Sequence, residues 1–231
     1  MSVYAIGDPH LSLGSSKPMD VFPGWENYIE KLRDGFAKTV SPDDTVVICG
    51  DISWGLTLED ALEDFLFLDS LPGKKIILKG NHDYYFQTKK KTEDFFEKNG
   101  IKSMKILHNN AFAVENIAVC GTRGWMFEEA KAATDNDKKI LLREAGRLRM
   151  SIQEAVKTGL EPVVFMHYPP VYAQLSSPEL LDVLDEFEIR RVFYGHIHAE
   201  ACAYARKGYY RGVDYTLVSC DYLNFVPILV E

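Results

Sequence analysis

The stretch TVVICGD, residues 45–51, decides the fold of this chain. In it, a run of β-branched and apolar residues ends at a glycine and a carboxylate. Four further, largely apolar runs also stop shortly before a polar residue: residues 3–6 before Asp8, 75–78 before Asn81, 162–166 before His167 and 191–194 before His196. Such runs are typical of strands that are buried on both faces. The chain is therefore expected to contain buried strands whose ends carry its chemistry.

Helical patterns fill the intervals between these runs. Apolar residues recur with helical spacing over residues 25–40 and again over residues 58–66. A third helix is predicted over residues 135–157, with Thr134 as its N-cap and Asp137 completing an imperfect capping box. Alternating strands and helices predict an α/β fold with parallel strands, in which ligands bind beyond the carboxyl ends of the strands. The polar residues after the five runs are thus expected to meet at one edge.

The pattern changes after residue 198. Strand candidates separated by turns follow at residues 201–205, 209–211, 215–219 and 226–230. A hairpin is predicted by residues 112–114 and 117–119, which flank Glu115 and Asn116. Because these strands look antiparallel, the sheets are expected to be mixed. The sequence shows no internal repeat and no interdomain linker, and its length suits one core, so residues 1–231 are predicted to form a single domain.

Composition restricts the class of partner. A formal charge of −8 and an isoelectric point of about 5.3 disfavour long-range attraction to nucleic acids and anionic membranes. The N-terminus lacks the basic and apolar regions of a signal peptide, and no apolar run approaches the ~20 residues of a membrane span. The cysteines are widely spaced, which predicts reduced, mostly buried thiols. We therefore expect a cytoplasmic protein without a membrane partner.

Five polar clusters carry the candidate chemistry. They are Asp8-Pro9-His10, Gly50-Asp51, Gly80-Asn81-His82-Asp83, His167 and Gly195-His196-Ile197-His198. Of the 6 histidines, all but His108 lie in these clusters, and histidine is the commonest metal ligand. Residues i and i+2 of an extended segment project to one side, so Asp8 and His10 are placed to bind one cation. Asp51 has two oxygens and can bridge two cations, and Asn81 offers a neutral carbonyl oxygen. Jointly, the clusters predict a metal centre.

The order and spacing of these clusters resemble the calcineurin-like metallophosphoesterase superfamily from residue 8 to residue 198. The resemblance implies two facing mixed β-sheets flanked by helices. It also implies two divalent cations, the first held by Asp8, His10, Asp51 and His198, and the second by Asp51, Asn81, His167 and His196. Manganese is the metal that the resemblance favours. A nitrogen and oxygen donor set without thiolate also suits iron, zinc, cobalt or nickel.

The resemblance implies a phosphoesterase that hydrolyses a phosphomonoester or a phosphodiester. Two divalent cations facing the carboxylates of Asp8 and Asp51 leave a net charge of about +2, which attracts a phosphoryl group. A hydroxide that bridges the cations is expected to attack phosphorus in line. The family implies that His82 stabilises the transition state or protonates the leaving oxygen. Asp83 is expected to hydrogen-bond the ring of His82 and hold its orientation.

Substrate-binding candidates rest on position alone. Arg123 follows a strand and lies between two glycines, where it either clamps a phosphate or forms a structural salt bridge. Trp54 lies close to Asp51 and either stacks on a base or aromatic leaving group or packs in the core. Residues 11–23 and 126–133 lack clear periodicity and are predicted to form the substrate rim.

Two other functions remain open at this stage. A nucleotide or nucleic-acid phosphodiesterase uses the same motifs around an open groove, although the acidic charge favours a small soluble phosphoester as the partner. The family also includes a non-catalytic scaffold in which key histidines of the motif are lost. Here His82, His167, His196 and His198 are all present, which argues for an enzyme.

Overall fold

The computed structural model describes residues 1–126 and 134–231. The first half of the chain alternates strands with helices: β1 (Val3–Ile6), α1 (Tyr28–Thr39), β2 (Thr45–Ile48), α2 (Leu62–Ser70), β3 (Lys74–Ile77), α3 (Lys89–Lys98) and β4 (Met104–Ile106). The second half contains β5 (Phe112–Val114), β6 (Ile117–Thr122), α4 (Asp135–Val156), β7 (Glu161–Met166), β8 (Val171–Tyr172), β9 (Leu175–Ser176), α5 (Pro178–Glu186), β10 (Arg191–Tyr194), a 3-10 helix (Ala199–Ala203), β11 (Gly208–Tyr210), β12 (Val213–Leu217) and β13 (Ile228–Leu229). Long stretches of β–α alternation agree with the α/β prediction.

The strands form two large sheets and a short ribbon. The first sheet has the order β13-β1-β2-β3-β4, with β1 to β4 parallel and β13 antiparallel to β1. The second has the order β11-β12-β10-β7-β6-β5, with antiparallel strands only at its two edges. Strands β8 and β9 pair with each other. Both large sheets are therefore mixed, as predicted.

Side-chain alternation along the buried strands creates the layers. In β1 and β2, Val3, Ala5 and Val47 join an apolar cluster that also contains Val163 and Phe165 of the second sheet. The intervening side chains of β1 and β2 pack instead with the residues of α1 and α2. Helices α4 and α5 cover the outer face of the second sheet. Each large sheet therefore has an apolar layer on both faces, one against the other sheet and one against helices. This arrangement confirms the prediction of two facing sheets flanked by helices.

The strand and helix predictions for the parallel core are largely confirmed. Strands β1 and β10 have the predicted bounds, and β2, β3 and β7 differ from prediction by one residue at their ends. Helix α4 begins after Thr134, whose Oγ1 accepts the N–H of Asp137 at 3.1 Å, while Asp137 Oδ2 accepts the N–H of Thr134 at 2.9 Å. The predicted hairpin is β5–β6, and all four cysteines are buried and free of disulfide bonds.

Three predictions of local structure were wrong. Helix α2 begins only at Leu62, although the helical spacing of apolar residues starts at residue 58, and Leu66 of that pattern is 44% exposed. Residues 201–205 are not a strand, because the N–H of Ala201 bonds the carbonyl of His198 and closes a 3-10 turn. Strand β12 runs parallel to β10, although the C-terminal strands looked antiparallel. Within residues 1–126 and 134–231, no helix is both long and apolar enough to cross a bilayer.

Candidate metal centre

The carboxyl ends of the parallel strands bring the polar clusters together. Asp8 follows β1 and Asp51 follows β2, and the N–H groups of Asp8 and His10 donate to the carbonyls of Gly50 and Asp51 at 3.0 Å each. Across the two sheets, the N–H of His196 donates to both carboxylate oxygens of Asp8 at 2.9 Å. These contacts lock loops from separate strands into one arrangement at the shared edge, where the α/β fold is expected to place its ligand.

Two groups of ligand-type side chains form at this edge. Asp8, His10 and His198 make up one group, and Asp51, His167 and His196 make up the other; within each group the candidate ligand atoms all lie within 4.8 Å of one another. Asp51 also links the groups, since its Oδ2 is 3.6 Å from His10 Nε2 and 3.6 Å from His167 Nε2. Asn81 extends the second group, with its Oδ1 2.6 Å from His167 Nε2.

The protonation and burial of these groups fit divalent cations. Burial lowers the pKa of His167 and of His196 to about 3, so both rings are neutral and offer a lone pair. His167 Nδ1 bonds the Cys49 carbonyl at 3.0 Å, which leaves Nε2 as the ligand atom. Burial, then the carboxylates of Asp83 and Asp8, raise the pKa of Asp51 well above its usual value. Crowded buried carboxylates are costly without cations, so the donor set suits bound metal.

Four of the candidate ligands have a positive backbone φ, which residues other than glycine rarely adopt. Asp8, His10, Asp51 and His196 have φ values of 56°, 46°, 51° and 71°. Each such residue costs on the order of 1–3 kcal/mol and persists only where its surroundings hold it. At these four positions the surrounding loops hold the ligand side chains in place at a cost in backbone strain.

Glycines beside the ligands allow the loops to approach so closely. A Cβ at Gly80 would lie 2.1 Å from Asp51 Oδ1, and a Cβ at Gly195 would lie 2.3 Å from Asp8 Oδ2. Neither backbone segment can tolerate a side chain without displacing a candidate ligand. The glycines of the Gly-Asn-His-Asp and Gly-His-Ile-His clusters therefore have a steric role in the centre.

Asp221 supports the centre from behind, although the sequence analysis did not identify it. Its Oδ1 lies 2.8 Å from His198 Nδ1, and its Oδ2 accepts the N–H of Ala199 at 2.8 Å. Burial lowers the pKa of His198, but the hydrogen bond with Asp221 and the nearby carboxylate of Asp8 outweigh it and raise that pKa to about 10. A cation that binds His198 Nε2 must displace this proton. Asp221 follows strand β12 as other clusters follow their strands, and that signal could have revealed it.

Residues 1–200 match the calcineurin-like phosphoesterase family. The chain belongs to this family. Together with the two groups of ligand-type residues, membership makes the protein a metal-dependent phosphohydrolase. No curated protein shows significant sequence similarity to it.

Solved structures share the fold of this phosphoesterase at low sequence identity. The phosphopantetheinyl hydrolase PptH from Mycobacterium tuberculosis is 13% identical with a TM-score of 0.53, covering 100% of this chain and 96% of that chain. The protein of unknown function AQ665 from Aquifex aeolicus is 13% identical with a TM-score of 0.51, covering 99% and 95%. The protein TT1561 of Thermus thermophilus is 13% identical with a TM-score of 0.51, covering 85% and 81%. These likenesses show the fold alone.

His82 of this phosphoesterase lies beside the ligand groups without belonging to either. Its backbone N–H donates to Asp51 Oδ1 at 2.8 Å, and its ring centroid is 5.6 Å from that of His10 and 4.3 Å from that of Trp54. Its Nδ1 is buried and has no hydrogen-bond partner among the described residues. Burial, and then the Lys17 ammonium, lower the pKa of His82. A half-buried ring with a free polar atom next to the ligands is well placed to contact a substrate.

Asp83 does not orient the ring of His82, which corrects the expectation from the sequence. The carboxylate is fully buried and accepts backbone N–H groups from Asp51 at 2.9 Å, Ile52 at 2.7 Å, Ser53 at 3.3 Å and Gly80 at 2.7 Å. Its side chain turns away from His82 because these donors satisfy both of its oxygens. Asp83 therefore joins the loop of Asp51 to the loop of Asn81, and its role is to position ligands.

The rim of the centre includes Trp54 and part of the predicted rim segment 11–23. Trp54 is half-buried and stacks on His10 with centroids 5.0 Å apart, and Lys17 places its ammonium 3.1 Å from the Trp54 ring centroid. Trp54 Nε1 donates to Met19 Sδ at 3.2 Å, so the predicted rim segment 11–23 does border the site. Of the other predicted rim segment, 126–133, residues 127–133 lie outside the described part of the chain.

Proposed function

We propose that this phosphoesterase would hold two divalent cations, with Asp51 contributing to both donor sets, and that it hydrolyses a phosphomonoester or phosphodiester. The observation that carries the proposal is the position of Asp51 Oδ2, 3.6 Å from an imidazole nitrogen of each ligand group. One carboxylate between two nitrogen donors is the arrangement that a dinuclear centre requires. The assignment of two cations and of the reaction rests on the family resemblance together with this geometry.

Seven residues supply the proposed donor set. Asp8, His10, Asp51 and His198 would hold the first cation, and Asp51, Asn81, His167 and His196 would hold the second. When bound, the two cations supply Lewis acidity to a water nucleophile and to the phosphoryl oxygens, for an in-line displacement at phosphorus. The protein itself shields these donor atoms from bulk solvent, because Asp8, Asp51 and His167 are buried, and it keeps the rings of His167 and His196 neutral. We favour manganese as the metal.

His82 is the proposed catalytic residue outside the donor set. We expect His82→Ala to reduce turnover at least about tenfold, since positioned acid or hydrogen-bond catalysis is typically worth 10²–10⁴-fold. Metal content should stay unchanged, because no ring atom of His82 belongs to either ligand group. Turnover and bound metal are measured on the same preparation. Near-wild-type turnover in the variant would show that the ring is a bystander.

A pH profile separates the two roles open to His82. A proton donor is active only when protonated, so turnover of the native enzyme would fall as pH rises through the pKa of His82, and His82→Ala would lose that limb. A hydrogen-bond donor gives parallel profiles for both proteins. Burial and the Lys17 ammonium lower the pKa of His82, so any such limb lies below the pH at which an ordinary histidine titrates.

The function is tested with p-nitrophenyl phosphate and bis-p-nitrophenyl phosphate and manganese-loaded protein. We expect hydrolysis of at least one ester and its loss when the metal is removed by chelation. Preference for the diester would favour the nucleotide or nucleic-acid phosphodiesterase alternative, and preference for the monoester would favour small phosphometabolites. Two bound cations without turnover of either ester, or of a pyrophosphate diester, would contradict the proposed function.

A further inference from the structure

A small basic cavity adjoins the metal centre. It has a volume of about 60 Å³. The side chains that matter in its lining are Lys79, His108, Thr122, Arg123, Glu144 and Arg147. Lys79 is two residues before Asn81, and the carbonyl of Arg123 accepts the N–H of Tyr168, the residue after His167, at 2.8 Å. The cavity therefore lies next to the residues proposed to hold the second cation.

Positive charge exceeds negative charge in this cavity. Lys79, Arg123 and Arg147 are cationic, and Glu144 is the single carboxylate among its lining residues. Glu144 is 1% exposed and accepts hydrogen bonds from Thr122 Oγ1 at 2.6 Å, the Gly124 N–H at 3.1 Å and Arg147 at 2.7 Å. One carboxylate cannot balance three cations, so the lining has two positive charges in excess, in a chain whose formal charge is −8.

Arg123 has unused hydrogen-bonding capacity that faces this region. Its nearest guanidinium nitrogen is 3.7 Å from Glu144 Oε1, which is an ion pair but too long for a hydrogen bond. Its Nε is buried and has no acceptor among the described residues. The guanidinium carbon lies 5.3 Å from the centroid of the Trp125 ring, which holds the group in place. A guanidinium whose Nε–H lacks an acceptor can donate to a phosphate oxygen.

The size and charge of the cavity favour a phosphoryl group. The cavity volume of about 60 Å³ is small, so a compact oxyanion such as a phosphoryl group suits it better than a larger ligand. An excess of two positive charges matches a phosphoryl dianion better than a carboxylate. Burial and the nearby Arg147 lower the pKa of His108, which leaves a neutral ring that adds a hydrogen-bonding group to the wall.

We propose that this cavity binds a second phosphoryl group of the substrate, remote from the ester that is cleaved. The inference rests on the proposed function and narrows its substrate class to phosphoesters that carry two phosphoryl groups. The cations and the cavity then bind the two ends of one molecule. Binding at the second end is intramolecular, so a ligand of the right span gains affinity that a single phosphate cannot reach. Arg123 thus receives both roles considered from the sequence, an ion pair with Glu144 and a phosphate contact.

A series of bisphosphonates measures the distance between the two sites without any turnover. Manganese-loaded protein is titrated calorimetrically with α,ω-alkane bisphosphonates of increasing chain length and with alkyl monophosphonates of equal length. Their C–P bonds are not esters, so binding is read independently of hydrolysis. We expect one span to bind about tenfold or more tighter than its monophosphonate, because the second end is tethered. Equal affinity of both series at every length would overturn the proposal.

Paired variants of helix α4 locate the effect. Arg147→Gln should bring the best bisphosphonate close to the affinity of its monophosphonate, while Arg143→Gln, an exposed arginine one turn away, should leave the difference intact. Arg123→Gln provides a second test from a different element, the loop that follows strand β6. If the bisphosphonate still binds more tightly than its monophosphonate in both Arg147→Gln and Arg123→Gln, the proposal is also overturned. If the protein prefers a bisphosphonate but hydrolyses no ester, the phosphoryl-binding site is still supported and only the proposed function is contradicted.

Discussion

Asp51→Asn is expected to abolish most turnover of p-nitrophenyl phosphate and to leave the protein with fewer than two tightly bound cations. Asp51 Oδ2 faces nitrogen ligands of both groups at 3.6 Å, while Oδ1 accepts the N–H of His82 at 2.8 Å. An amide that keeps the His82 bond would turn its NH₂ toward the nitrogen ligands of both groups, where a carboxylate oxygen is needed to bind a cation. Cation stabilisation of the transition state is worth several kcal/mol, so we expect a loss on the order of 10³-fold.

The same substitution should have the opposite effect on the protein without metal. Asp51 is buried close to Asp83 and Asp8, and burial is the largest cause of its raised pKa, followed by these two carboxylates. Replacing a buried carboxylate that neighbouring carboxylates repel by a neutral amide is stabilising or neutral. After chelation, Asp51→Asn should therefore unfold at the same temperature as the native protein or higher. Manganese should then raise the unfolding temperature of the native protein more than that of the variant, because stabilisation by a ligand follows its affinity.

Metal analysis, turnover and thermal unfolding with and without chelator test this prediction together. Asp43→Asn is the matched control, since Asp43 is exposed and outside both ligand groups. It should leave all three measurements unchanged. Two tightly bound manganese ions in Asp51→Asn, with native turnover, would show that Asp51 does not bridge. A variant that is unfolded after chelation would show instead that Asp51 has a structural role in the loop.

The sequence predicted the parallel core well because each buried strand is short, apolar and followed by a polar cluster. Because the five runs are apolar on both faces, each must be buried on both faces. Their strand bounds, and the positions of Asp8, Asn81 and His167 at the strand ends, follow from that burial. Helix α3 was missed for the opposite reason: it is largely charged, with Phe96 buried against the core. Its N-cap, Thr88, accepts the N–H of Lys91 at 3.2 Å, a short-range signal that was not used.

Side-chain partners were harder to predict than positions. Asp83 is next to His82 in sequence, which suggested a contact between them, but three of its donors lie 30 to 32 residues away after β2. The basic cavity likewise joins Lys79, Arg123 and Arg147 from three separate elements. No local pattern reports which distant backbone groups a buried carboxylate will accept, because that depends on how the two loops pack.

Asp83→Asn is expected to destabilise the protein strongly, by about 3–5 kcal/mol. The carboxylate accepts four backbone N–H groups, two on each oxygen. An amide can serve only one pair, and its NH₂ then faces the other two donors, each worth roughly 1–3 kcal/mol when left unsatisfied in the interior. Burial raises the pKa of Asp83 while its backbone donors lower it, but the misplaced donors remain a penalty whichever protonation state the native carboxyl adopts.

Comparison of the two neighbouring Asp→Asn variants gives the decisive measurement. In urea unfolding of chelated protein, Asp83→Asn should lose stability while Asp51→Asn does not, although both replace a buried carboxyl group by an amide at adjacent points of the same network. The folded fraction of Asp83→Asn should also bind manganese more weakly, because the loops that carry Asp51 and Asn81 are no longer joined. Equal stability of the two variants would mean that Asp83 contributes only charge, and the account of the centre as two loops held in register by one carboxylate would be wrong.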